Sequence, residues 1–254
     1  MRVSRNFVYQ PSATVYQRWH RDTAPTAHTL QTQAATALPA DRTFTILVQF
    51  ENTGTVQSQN IGALHNTLNS LLSQTCRPVQ CLISAPETQH QAIHTLTSTL
   101  LPDAKVISVS DTWPELLAAR GALLCVLNAG EVLRADCLWR VTAAWQENTT
   151  LLYSDHDQID PSGKPVNPWF TTEWSPDLLH GQNYIGHVFF ADTRQVAKLS
   201  ALNTQTPAWR YSLLLELGWQ QRSVRCKELL PCCGAHLSPR QSSANVCWLL
   251  NRRH

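Results

Sequence analysis

The stretch from Thr150 to Phe190 reads TLLYSDHDQIDPSGKPVNPWFTTEWSPDLLHGQNYIGHVFF. It opens with a short apolar run, Thr150 to Tyr153, and then sets Asp155, His156, Asp157 and Asp160 close together. An apolar run that ends in acids reads as a buried strand delivering a carboxylate cluster. In α/β proteins ligands bind beyond the carboxyl ends of the strands, so a site is sought here first. Carboxylates at such a place can hold a divalent metal, take a proton or accept hydrogen bonds from sugar hydroxyls.

Outward from this stretch, apolar strand-like runs alternate with amphipathic segments. Thr43 to Phe50, TFTILVQF, is nearly continuous in apolar residues, as a strand buried on both faces should be. A helix follows over Asn60 to Gln74, with Ile61, Leu64, Leu68, Leu71 and Leu72 on one face. Strands are predicted over Val79–Ser84, Lys105–Val109, Ala122–Leu127, Val188–Phe190 and Ser223–Cys226. Helices are predicted over Gln89–Leu101, Pro114–Arg120, Arg134–Glu147 and Thr193–Leu199. This alternation implies an α/β fold, a mainly parallel sheet with helices on both faces. Upstream, helices are expected over Ala13–Thr23 and Thr26–Leu38, broken apart by Pro25 and packed outside the main sheet.

Composition excludes several classes. A net charge of +2 on 254 residues, without a basic stripe bearing aromatics, argues against nucleic acid as a partner. The longest apolar runs are far too short to span a bilayer. The first residues are basic and polar with no apolar signal segment, from which a cytoplasmic location is expected. None of the eight cysteines forms a Cys-x-x-Cys pair, and Cys226 with Cys232 and Cys233 lacks zinc-site spacing. Reduced structural thiols are expected throughout.

Four motifs then recur in order: Tyr153-Ser154-Asp155-His156-Asp157, Pro168-Trp169-Phe170, Trp174-Ser175-Pro176-Asp177-Leu178-Leu179 and Asn183-Tyr184-Ile185-Gly186-His187. Together they resemble family 2 glycosyltransferases of the GT-A fold, in particular a bacterial subgroup that builds cell-surface polysaccharides. The similarity extends in register from roughly Tyr16 to Leu230, including Tyr16-Gln17-Arg18-Trp19 and the set Ser70, Gln74 and Thr75. It implies one GT-A-like domain over 43–235, with an N-terminal extension over 1–42 and a polar tail over 236–254.

The resemblance also marks departures. Where the family carries a donor-binding turn after the first strand, only Asn52 matches, and the second strand ends in Ala85-Pro86-Glu87-Thr88 without the expected aspartates. The family's metal-binding aspartates are replaced by Leu127-Asn128-Ala129-Gly130-Glu131. In the family those acids hold the Mg²⁺ or Mn²⁺ that neutralises a sugar nucleotide's diphosphate. Glu131 alone still offers one carboxylate to a hydrated Mg²⁺. The aspartate expected to deprotonate the acceptor is replaced by Arg210, which cannot act as a base near neutral pH.

The candidate residues keep bland alternatives beside them. Asp155 and Asp157 belong to the site, most readily on its acceptor side, or they form a turn; in a variant, Asp155-His156-Asp157 itself holds a metal. Asn52, Asn128 and Glu131 are the donor-side candidates. Trp169 and Trp174 form a sugar platform or pin their loop to the core. Asn183, Tyr184 and His187 are candidate acceptor contacts, although a histidine among apolar residues is more often a core residue. Asp177 reads as a helix cap. The expectation is a degenerate, non-catalytic relative serving as a binding or scaffolding subunit of surface-glycan machinery, with a partner glycosyltransferase. The alternative is an active transferase using a nucleotide-sugar donor, a glycan acceptor and Mg²⁺ or Mn²⁺.

Overall fold

The computed structural model describes residues 11–39, 41–50, 57–186, 188–206, 208–220, 223–225 and 234–236. In chain order these form α1 (Ala13–Asp22), α2 (Ala27–Ala35), β1 (Phe44–Gln49), α3 (Gln57–Leu72), β2 (Gln80–Ala85), α4 (His90–Leu100) and β3 (Lys105–Ser108). Next come α5 (Thr112–Leu117), β4 (Leu123–Asn128), β5 (Glu131–Val132), α6 (Cys137–Ala144), β6 (Leu151–Tyr153), β7 (His156–Ile159) and β8 (Pro165–Trp169). The remainder is α7 (Pro176–Gly181), β9 (Phe189–Asp192), α8 (Thr193–Val196), α9 (Trp209–Gln220), β10 (Ser223–Arg225) and β11 (Gly234–His236).

The main sheet runs in the order β10-β6-β9-β4-β1-β2-β3. Its pairings are parallel except at β9, which runs against both β4 and β6. Because β9 is antiparallel to each of them, β4 and β6 point the same way. The turn after Asn128 and the acids after Tyr153 therefore emerge at the same edge of the sheet.

Alternation along the strands splits the core into two layers, as a period of two residues requires. Ile46, Val48, Cys125 and Leu127 join Leu64, Leu68 and Leu71 of α3, Ile93 of α4 and Val141 of α6. Leu47, Leu124 and Val126 meet Trp113 and Leu116 of α5, Leu179 of α7 and Leu213, Leu214 and Leu217 of α9. The fold is thus α/β, a mostly parallel sheet with helices on both faces.

A second sheet, ordered β5-β11-β7-β8, is not anticipated by the sequence pattern. Its strands are short and polar, and β7 reads HDQI, so no apolar run announces them. Helix α1 lies outside the main sheet, as expected. Pro25 separates α1 from α2, and α1 packs on β8 of this second sheet and contributes to the acidic cluster.

Cys76, Cys81, Cys125 and Cys137 are buried thiols, and burial pushes Cys76 up to about 11 and Cys81 up to about 12. Cys226, Cys232, Cys233 and Cys247 lie outside the described residues.

Gly121 lies hard against the main chain at the start of β1. A Cβ there would stand 2.3 Å from the backbone carbon of Phe44 and 2.3 Å from the nitrogen of Thr45. Both contacts are with rigid main chain, so the neighbour cannot rotate away. Gly121→Ala is expected to destabilise the protein by about 2 kcal/mol or more in urea unfolding. An unchanged midpoint would show that β1 and its neighbours yield there.

Candidate functional site

At the end of β4 the chain turns sharply through Asn128, Ala129 and Gly130. Gly130 has a φ of +102°, a conformation open to glycine at little cost. Its N–H donates to the Thr67 hydroxyl at 2.8 Å, fixing the turn to α3. The turn brings Glu131 back beneath the strand end. Oε2 of Glu131 accepts the Asn128 N–H at 2.8 Å and Oε1 accepts Asn128 Nδ2 at 3.3 Å.

Arg210 reaches into the same turn from the first turn of α9. Its Nη1 donates to Asn128 Oδ1 at 2.7 Å and its Nη2 to the Val126 carbonyl at 2.8 Å. Nη2 also stands 3.6 Å from Glu131 Oε2, and the side chains of Arg210 and Glu131 are only 12% and 5% exposed. A buried carboxylate is thereby matched by a partly buried guanidinium whose planar donors reach both an amide and a main-chain oxygen.

The second acidic cluster is built differently. Asp155 is buried between β6 and β7, and its Oδ1 accepts the Thr171 N–H at 2.7 Å and the Thr171 hydroxyl at 2.9 Å. Asp157 lies within β7, where its Oδ2 accepts the Tyr16 hydroxyl at 2.5 Å. His20 Nε2 of α1 is 4.0 Å from that oxygen. Burial raises Asp157 to about 6, against the lowering pull of the Tyr16 hydrogen bond and of the Arg134 charge. Burial likewise raises the Tyr16 hydroxyl and lowers His20. Arg134 is held by Asp136, with Nε at 2.6 Å and Nη2 at 2.9 Å, and Arg140 Nε joins the same aspartate at 2.8 Å.

The second sheet carries residues of both clusters on strands that flank one another through β11. Glu131 on β5 and Asp157 on β7 flank the same strand, β11, at Ala235 and Gly234 respectively. Two strand spacings put their main chains about 10 Å apart.

The remaining motif residues interlock. Asn183 accepts the Gly186 N–H at 3.1 Å and donates to the Gly186 carbonyl at 3.0 Å, closing the loop before β9. Gly186 has a φ of +87°, and a Cβ there would fall 2.5 Å from the His156 ring. Tyr184 is buried; its hydroxyl accepts the Ser175 N–H and its carbonyl accepts the Trp169 indole N–H, both at 3.0 Å. Trp174 packs over Gly218 of α9 and against Tyr153. Trp169 instead remains 40% exposed, stacked on His156 with the ring centroids 6.1 Å apart. The expected cap at Asp177 is corrected: Ser175 caps α7 and Asp177 sits in its first turn, because Pro176 already occupies the first helical position.

Of the sequence candidates, Asn128 and Glu131 are brought together, and so are Trp169, Tyr184 and the loop held by Asn183. Asn52 and His187 lie outside the described residues. Asp160 forms the hairpin turn between β7 and β8, accepting from Ser162 and Lys164; these hydrogen bonds, led by that of Lys164, hold its carboxyl below the usual range. Sequence reasoning did not foresee Tyr16 on Asp157, Thr171 on Asp155 or the Asp136 pair of arginines. The Tyr16-x-x-Trp19 match was the one signal for the first of these.

No protein-family model matches the chain. It is 33% identical over 87 residues to the O-antigen biosynthesis protein RfbC of Myxococcus xanthus, covering 34% of this chain and 7% of that protein. It is 32% identical over 85 residues to the uncharacterized protein y4gI of Sinorhizobium fredii, covering 33% of this chain and 9% of that one. The matched segments thus span under a tenth of those relatives. Among solved structures, S. aureus TarS 1-349 superimposes with a TM-score of 0.55 at 13% identity, covering 76% of this chain and 60% of that one. The same TarS fragment in complex with UDP gives 0.52 at 14% identity, over 78% and 61%. The fold is GT-A-like, as the sequence resemblance implies.

The Asp157 cluster generates a pH signature. Its folded-state value is raised above the ordinary 3.8, so between about 4 and 6 the folded chain holds more protons than the unfolded chain. This group's contribution to stability is therefore fully present below about 4, falls as pH rises to about 6, and is flat above. Asp157→Asn is expected to remove that slope and to leave stability at pH 7.5 equal or higher. Tyr16→Phe, which strands the buried carboxylate, is expected to cost about 1–3 kcal/mol at pH 7.5. Urea midpoints from pH 4 to 8 read both, and a strongly destabilised Asp157→Asn protein would contradict this account.

Proposed function

We propose that this chain is a glycosyltransferase-like protein of bacterial cell-surface glycan assembly that binds or scaffolds rather than transfers sugar. One observation carries this reading: the acids grouped at the strand ends already serve the protein's own main chain and side chains. Asp155 is committed to Thr171, Asp157 to Tyr16, and Glu131 to Asn128 and Arg210. A transferase needs a group to relieve charge on the departing diphosphate and a base for the acceptor hydroxyl. The residues at the family's positions for those tasks are an amide, a paired glutamate and an arginine.

The GT-A-like fold and the partial identity to an O-antigen biosynthesis protein support the class of process. Trp169, braced by His156 and by the Tyr184 carbonyl, offers an ordered aromatic face for a sugar ring. A partner glycosyltransferase would then supply the chemistry. Active transfer from a nucleotide sugar is the second reading, favoured by the UDP complex of the TarS neighbour; Mg²⁺ or Mn²⁺ would be its expected cofactor.

Incubation with a panel of UDP-, GDP- and dTDP-sugars, a surface-oligosaccharide acceptor and Mn²⁺ separates the two. The expected result is nucleotide release no faster than in a protein-free control. EDTA-sensitive turnover would overturn the non-catalytic reading.

A further inference from the structure

The turn after β4 is where the resemblance places a divalent cation, and the donors present there do not suit one. Both oxygens of Glu131 accept N–H groups of Asn128, and Asn128 Oδ1 and the Val126 carbonyl accept from Arg210. Among the described residues no group of three or more His, Cys, Asp or Glu side chains is placed to hold a metal ion. A hard cation needs oxygens free to turn toward it, and here a fixed positive group already lies 3.6 Å from the single carboxylate.

We propose that the Arg210 guanidinium is the resident cation of this turn, an internal substitute for a divalent metal, so that the native chain takes no Mg²⁺ or Mn²⁺ there. Three features fit a substitute rather than a chance contact. Arg210 comes from α9, a helix distant in sequence, and its reach ends on the strand-end carbonyl as well as the side chains. Its charge is matched by Glu131 in a place where an unmatched charge would be costly. Gly130 and Thr67 fix the turn that presents Asn128 and Glu131 to the same guanidinium. The inference rests on the glycosyltransferase-like reading of the fold, not on the absence of catalysis.

Mn²⁺ titration followed by paramagnetic broadening of backbone amide signals tests this without nucleotide or turnover. In the native chain the amides of 128–132 should not broaden selectively at millimolar Mn²⁺. Selective broadening there would overturn the proposal, whatever the activity assay gives. The converse arm is the double change Asn128→Asp with Arg210→Ala, checked for folding by circular dichroism. It should immobilise Mn²⁺ at least tenfold more tightly than the native chain, an effect removed by adding Glu131→Gln. A folded double variant with no gain would also overturn the proposal, because something other than the guanidinium would then be keeping the metal out. Should the double variant not fold, the native titration still decides the question.

Discussion

A guanidinium lodged at the carboxyl end of β4 in a mostly parallel sheet sets the terms for the turn around it. Arg210 ties α9 to β4, and through Asn128 and Glu131 it ties β4 to the second sheet. Buried ion pairs of this kind seldom stabilise more than an apolar replacement would, yet removing one partner typically costs about 3–5 kcal/mol. Such a pair therefore acts as a constraint: once Arg210 is present, Glu131 must stay, and neither is easily released for chemistry.

The same logic holds across the acidic edge. Asp157 is a buried carboxylate whose proton is held well above its ordinary range, and Tyr16 from the N-terminal helix meets it. Asp155 is spent on holding the Thr171 segment. The motifs that look functional in sequence turn out to brace one another: Asn183 closes on Gly186, Gly186 admits His156, His156 backs Trp169, and Trp169 returns to Tyr184. A chain can keep these residues because they build the scaffold. Fold and activity are separable, and these contacts serve the fold.

The fold was legible because its signals are additive. Strands such as Phe44–Gln49 and Leu123–Asn128 are buried on both faces and read as apolar runs, and Leu64, Leu68 and Leu71 repeat at helical spacing. The second sheet was not legible, because β5 and β7 are short and polar and are joined only through β11, far away in sequence. The candidate site was only half legible. Asp155, Asp157, Asn128 and Glu131 stand out as residues of interest, but their partners Thr171, Tyr16 and Arg210 are long-range choices made by packing. Arg210 in particular could be noticed as a departure, whereas its reach to Asn128 exists only in three dimensions.

The central claim is that Arg210 and Glu131 work as one unit, and a double-mutant cycle of stability measures that directly. Arg210→Met, Glu131→Gln and the pair together would be compared with the native chain by urea unfolding at pH 7.5. The account predicts that the double variant is less destabilised than the sum of the two singles, by at least about 1 kcal/mol. Strict additivity would mean that the two side chains are neighbours without being partners, and the account would fail.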